Sequence, residues 1–177
     1  MGVDDIMQSP DLSKLAVNDA DGLYQLQDYQ IGESLGYLLK RTVTMLNTAI
    51  DEELARYDLT HQQFAILMML TQHNCSTAAD LARETCGDTG AITRMLDRLE
   101  AKGIVRRVRS TQDRRVVDIE LTDAGKLFAK KMPIIAINVL NRHLNGFDKQ
   151  ELETLKGFLR RLLHTGNFPV LGSAATE

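Results

Sequence analysis

The chain has 177 residues, 44% of them hydrophobic, and a net charge of -3. That suits one soluble domain with a sizeable core. It excludes a membrane-spanning helix, because no stretch approaches the ~18 uninterrupted apolar residues that one needs.

The N-terminus, "MGVDDIMQSPDLSK", is acidic and lacks the basic-then-apolar plan of a secretion signal, so a cytoplasmic protein is expected. "MGVDDI" has Ile6 where a myristoylation site wants Ser or Thr. Residues 1–30 read as an acidic N-terminal arm. From Ile31 to Tyr57 the apolar residues Ile31, Leu35, Leu38, Leu39, Leu46, Ile50 and Leu54 recur at spacings that predict a long helix. Thr60 and Gln63 form a capping box, with Leu59 and Phe64 as a hydrophobic staple, and open a helix that runs to about His73. Thr77 and Asp80 open a short helix that ends near Gly87. Asp88 caps a third, 89–102, stopped by Gly103. Its inward stripe is Ile92, Leu96 and Leu99, which leaves Thr89, Gly90, Thr93, Arg94 and Asp97 facing out.

The next stretch reads as a hairpin over 104–121. "GIVRRVRS" is one strand. "VVDIEL" alternates as the other, with Val117, Ile119 and Leu121 in and Asp118 and Glu120 out. Thr122 or Asp123 caps a long helix to about Asn145, with a kink or break at Pro133. Asp148 and Glu151 box the start of a last helix, which runs to about His164. Residues 165–177 read as a loose tail.

Charge is unevenly placed. Residues 94–115 hold eight basic and three acidic side chains, a local +5 that leaves -8 for the rest of the chain. A basic patch on an acidic protein points to a polyanion at one face. Three helices followed by a hairpin make a winged helix-turn-helix, whose second motif helix enters the DNA major groove. In that frame Thr89 and Thr93 suit phosphates or base edges, and Arg94 suits a guanine edge. Arg98 and Lys102 suit phosphate. Arg114 and Arg115 stand at the wing tip, where the narrow minor groove attracts arginine, and Asp113 is placed to orient one guanidinium.

The stretches "LTHQQFAILMML", "TRMLDRLEAKGIVRR", "DRR" and "LTDAG", at these spacings, resemble the MarR family of bacterial transcription regulators over about residues 31–164. The resemblance implies a mainly α fold with a small β-hairpin wing. Residues 31–57 and 124–164 would be dimerisation helices, and 60–122 the winged helix-turn-helix. It implies a homodimeric repressor on a pseudo-palindromic operator. DNA contacts would fall on Thr89, Gly90, Thr93, Arg94, Asp113, Arg114 and Arg115. It also implies release from DNA by a small aromatic carboxylate or phenolic acid. Tyr37, Arg41 and His61 would be the polar candidates for such a pocket, with Met45 and Met69 as apolar lining; each also suits an ordinary interface or helix-start position.

Other chemistries fare worse. "GESLG" matches the pattern of a nucleophile elbow around Ser34, but it sits at a helix start with no parallel sheet, so no catalytic residue is expected. The four histidines lack metal-ligand spacing, and no metal or other cofactor is expected. Cys75 and Cys86 are too few for a disulfide framework. Cys86, at a helix C-terminus, reads as a small buried hydrophobe, and Cys75, in a loop, as the better thiol sensor. The alternatives that stay open are a thiol- or metal-sensing regulator of the same fold and a winged-helix protein-interaction module.

Overall fold

The computed structural model describes residues 22–72, 75–111, 113 and 115–168. Most of the acidic arm, His73, Arg114 and the last nine residues of the tail lie outside the described residues. The chain divides into two compact units, residues 1–44 and 45–177.

In the first unit, short 3-10 turns at Leu26–Asp28 and Ile31–Glu33 lead into helix α1, Leu35–Leu54. The expected uninterrupted helix over 31–57 is therefore an α-helix with a 3-10 turn at each end. Ser34 makes the break. Its hydroxyl donates to the Ile31 carbonyl at 2.8 Å and accepts the Tyr37 N–H at 3.4 Å, in the manner of a helix cap. The Tyr24 hydroxyl takes the Leu35 N–H at 2.8 Å. Ser34 is thus a buried capping hydroxyl, not an exposed nucleophile.

In the second unit α1 ends in a 3-10 turn, Ala55–Tyr57, closed by Asp58 in the left-handed region. Helices α2 (His61–Gln72), α3 (Ala78–Glu84) and α4 (Thr89–Ala101) follow, then the antiparallel strands β1 (Val105–Arg109) and β2 (Val117–Leu121). Helices α5 (Asp123–Lys131), α6 (Pro133–His143) and α7 (Lys149–Thr165) complete the chain. The fold class is the expected one, mainly α with one hairpin.

The starts of these helices follow the capping residues. Thr77 and Asp80, and again Asp148 and Glu151, form reciprocal capping boxes. Asp88 accepts the Ala91 N–H, and Thr122 caps α5. The helix expected over 124–145 breaks at Pro133, which begins α6 at the position where its missing N–H costs nothing.

The core of this unit is Leu54, Leu59, Ile66, Leu67, Leu81, Ile92, Leu96, Leu99, Val105, Ile119 and Met132. Each such side chain contributes about 1.5–3 kcal/mol on burial. Ile92, Leu96 and Leu99 bury the inner face of α4, so its other face is turned to solvent by the same periodicity. The hairpin alternation holds for Ile119, which is buried, but fails for Val117, which is 44% exposed. Val117 pairs with exposed Arg109 at the distal end of the ladder, farthest from the Val105–Leu121 pair.

Candidate nucleic-acid interface

The candidate interface is built on α4. Asp88 places its carboxylate at the helix start, where it accepts the Ala91 N–H at 2.9 Å. A side chain at Gly90 would lie 3.1 Å from that carboxylate oxygen, so a glycine leaves the cap undisturbed. Thr89, Gly90, Thr93, Arg94 and Arg98 are all exposed. The Thr93 hydroxyl donates to the Thr89 carbonyl at 2.9 Å, which leaves its oxygen as an acceptor facing out.

The basic cluster sorts into paired and unpaired cations. Lys102 pairs with Asp58 at 2.8 Å. Arg106 holds Glu120 across the hairpin through Nε at 3.0 Å and Nη2 at 2.6 Å. Arg107 reaches back to α4: it pairs with Asp97 at 2.6 Å and with Glu100, and those carboxylates raise its already high pKa, the Asp97 bond most. Arg94, Arg98, Arg109 and Arg115 form no ion pair among the described residues. The charge count along the chain could not make this division, because each pairing partner except Asp97 and Glu100 lies outside the basic segment. Lys102, read as a phosphate contact from the sequence, spends its charge on Asp58.

At the hairpin tip, Asp113 accepts the backbone N–H of Arg115 at 2.9 Å, and its carbonyl takes the Val116 N–H at 2.9 Å. This carboxylate therefore closes the turn through one of its oxygens, in addition to the expected role of orienting a guanidinium. Arg115 is exposed beside this turn, and Arg114 lies outside the described residues.

The pocket candidates divide between the units, Tyr37 and Arg41 in the first and Met45, His61 and Met69 in the second. Tyr37 and Met45 are 42% and 45% exposed on α1, and Arg41 is exposed too. Met69 packs against the core. His61 is already engaged: the Asp51 carboxylate accepts its backbone N–H at 2.6 Å and meets Nδ1 at 2.7 Å. Among the open clefts of the second unit are two of about 520 Å³ each. One is lined by Leu59, Thr60, Gln63, Arg98 and Lys102, the other by Tyr57, Phe128, Met132 and Ile135. Neither includes a pocket candidate, and no local pattern announces them, because their walls meet only after folding.

The cysteines reverse the expectation. Cys75 is buried, since the backbone beside it runs along β2, where the Ile119 N–H donates to the Ser76 carbonyl at 2.6 Å. Burial, with the nearby acids Glu84 and Asp80, pushes its thiol pKa up. Cys86 is exposed, turned out by a left-handed backbone (φ 52°) where the chain leaves α3. Among the described residues there is no group of three or more His, Cys, Asp or Glu able to hold a metal. No described helix is long and apolar enough to cross a membrane.

Residues 59–117, from the start of α2 to the start of β2, match the family model described as MarR family. The chain is 31% identical over 130 residues to the multiple antibiotic resistance protein MarR of Escherichia coli, covering 73% of this chain and 90% of that protein. It is 33% identical over 112 residues to the organic hydroperoxide resistance transcriptional regulator of Bacillus subtilis, covering 63% of this chain and 75% of that one. A crystal structure of mutant MarR from E. coli complexed with operator DNA superposes with a TM-score of 0.67 at 29% identity, over 73% of this chain and 93% of that one.

Proposed function

The chain belongs to the MarR family and is a DNA-binding transcriptional regulator, not an enzyme; from that premise we propose a homodimeric repressor that a small aromatic carboxylate releases from its operator. The observation that carries the DNA reading is the sorting of charge. The cations without an ion pair among the described residues, Arg94, Arg98, Arg109 and Arg115, stand on the exposed face of α4 and on the outer part of the hairpin. In this reading the N-terminal half of α4 enters the major groove, with Thr89, Gly90, Thr93 and Arg94 toward the bases and Arg98 toward phosphate. The hairpin is the wing. Asp113 shapes its tip so that Arg115, with Arg114, meets the minor groove.

The dimer is supported by apolar faces without cover in one chain. Leu38 and Val43 on α1, Ile134 and Ile137 on α6, and Phe158 and Leu162 on α7 are each 45–57% exposed. For the effector, the exposed Tyr37 and Arg41 of α1 are the groups whose chemistry suits it, an arginine pairing with a carboxylate and a tyrosine with a hydroxyl. A second reading, thiol sensing, is favoured by the exposure of Cys86 just before the cap of α4.

The test is a titration of the purified protein against duplex from its own upstream region and a scrambled duplex, at two salt concentrations. Preference for the native duplex is expected. Arg94→Ala should lose about 1–3 kcal/mol of base discrimination. Arg115→Ala should weaken both duplexes and lower the salt slope by about one. Benzoate added to the complex should release the DNA. Equal binding of both duplexes by every variant would refute the operator reading.

A further inference from the structure

Arg107 stands in the basic segment but does not face outward as a free cation. Its side chain is 31% exposed and lies between β1 and α4. Nη2 donates to Asp97 Oδ1 at 2.6 Å, and Nη1 donates to Glu100 Oε2. The Arg107 backbone N–H donates to the other oxygen of Glu100 at 3.0 Å. Asp97 and Glu100 are three residues apart, so they are neighbours on one face of α4. One planar guanidinium, fixed by directional bonds, therefore spans a full turn of that helix. The grip falls on the C-terminal half of α4, behind Thr93 and Arg94. Two residues further on, β1 ends at Arg109 and the chain enters the hairpin tip.

We propose that Arg107 is a positioning residue for DNA recognition, whose bridge to Asp97 and Glu100 sets the angle between α4 and the hairpin. This rests on the reading of those two elements as the DNA-contacting pair. A duplex fixes the separation of its grooves, so helix and wing dock together only if their mutual angle is held beforehand; a loose hairpin would have to be ordered on binding. The rival reading makes Arg107 one more phosphate contact.

The two readings predict opposite signs for one variant. Asp97→Asn/Glu100→Gln removes two negative charges from a DNA-facing element. If Arg107 contacts phosphate, the change frees its guanidinium and operator binding tightens. If Arg107 positions the wing, the bridge is lost and binding weakens, by roughly three- to tenfold given the usual size of such couplings. Arg107→Gln should weaken binding similarly while leaving the slope of log Kd against log salt at the full-length wild-type value, whereas a lost phosphate contact lowers it by about one. Arg107→Lys keeps the charge without the fork and should recover only part of the loss. Thermal unfolding of each variant should shift little, because half-exposed ion pairs contribute little to stability.

Weaker binding by the double variant, with an unchanged salt slope for Arg107→Gln, upholds the proposal. Tighter binding by the double variant, or a lowered slope for Arg107→Gln, overturns it. Arg94→Ala and Arg115→Ala run beside these as controls. If they leave both affinity and slope untouched, the assignment of the two DNA-contacting elements fails, and that result is separable from the fate of Arg107.

Discussion

At the scale of single residues, the arginines of the hairpin differ by what they face rather than by what they are. Arg106 is bound through two nitrogens to Glu120 on the partner strand, while Arg109, three residues on, is exposed without an ion pair among the described residues. Arg109→Ala should therefore reduce the salt slope of operator binding by about one, and Arg106→Ala should leave it unchanged. Equal slopes for the two variants would contradict this division. The cysteines offer a parallel contrast. Cys86 is exposed and should react with a thiol reagent in the folded protein, while Cys75 should react only on unfolding. Burial raises the Cys75 pKa, so the unfolded chain loses this proton at a lower pH than the folded one. Its stabilising contribution is thus complete below the ordinary thiol range and declines as pH rises toward its folded value. Unfolding followed by denaturant at pH 7 and pH 9.5, in wild type and Cys75→Ala, should show a smaller pH dependence in the variant.

At the scale of elements, the joint between hairpin and α5 is built for close approach. The Thr122 hydroxyl donates to the Gly103 carbonyl at 2.6 Å, its N–H donates to the Ile104 carbonyl at 3.1 Å, and its oxygen accepts the Gly125 N–H at 3.0 Å. A Cβ at Gly125 would overlap the Ile104 carbonyl oxygen, which is backbone and cannot swing away. Gly125→Ala should cost about 3 kcal/mol of folding stability, the upper end of what overpacking does. Asp88→Ala should cost about 1 kcal/mol for the lost cap of α4. Denaturant unfolding would measure both, and a neutral Gly125→Ala would disprove the close approach. These joints also show what could be read from the chain. Caps, the Pro133 break and the buried stripe Ile92, Leu96 and Leu99 are local signals, because each is decided by residues within a turn or two. The pairing of Arg107 with α4, of Lys102 with Asp58 and of Cys75 with the β2 edge are not. Each depends on which element is brought alongside, and so the sequence pattern misplaces Cys75 and Cys86. The exposed face of α4 is legible because burial of its other face dictates it; a pocket is not, because a cleft has no periodicity.

At the scale of the whole molecule, the proposed dimer rests on the apolar faces of α6 and α7. Ile134, Ile137, Phe158 and Leu162 are 45–57% exposed, more large apolar surface than a soluble monomer usually shows along two helices. Arg161 lies over the Phe158 ring at 5.4 Å, which covers part of one face with a cation and leaves the rest open. In the proposed dimer, pairing two copies through these helices would bury that surface and present two α4 helices and two hairpins to one duplex, so that the second half-site would be bound at a high effective concentration. On this proposal a monomer would bind each half-site independently. Ile137→Glu/Phe158→Glu places a carboxylate on each face and touches no residue of the core. Sedimentation should show the wild type as a dimer and this variant as a monomer. Its affinity for a full operator should fall by at least about a hundredfold, the usual gain from linking two sites, while its affinity for an isolated half-site stays within a few-fold of wild type. A variant that remains dimeric, or one that is monomeric yet binds the full operator as tightly as wild type, would show that these faces do not join the two DNA-binding lobes.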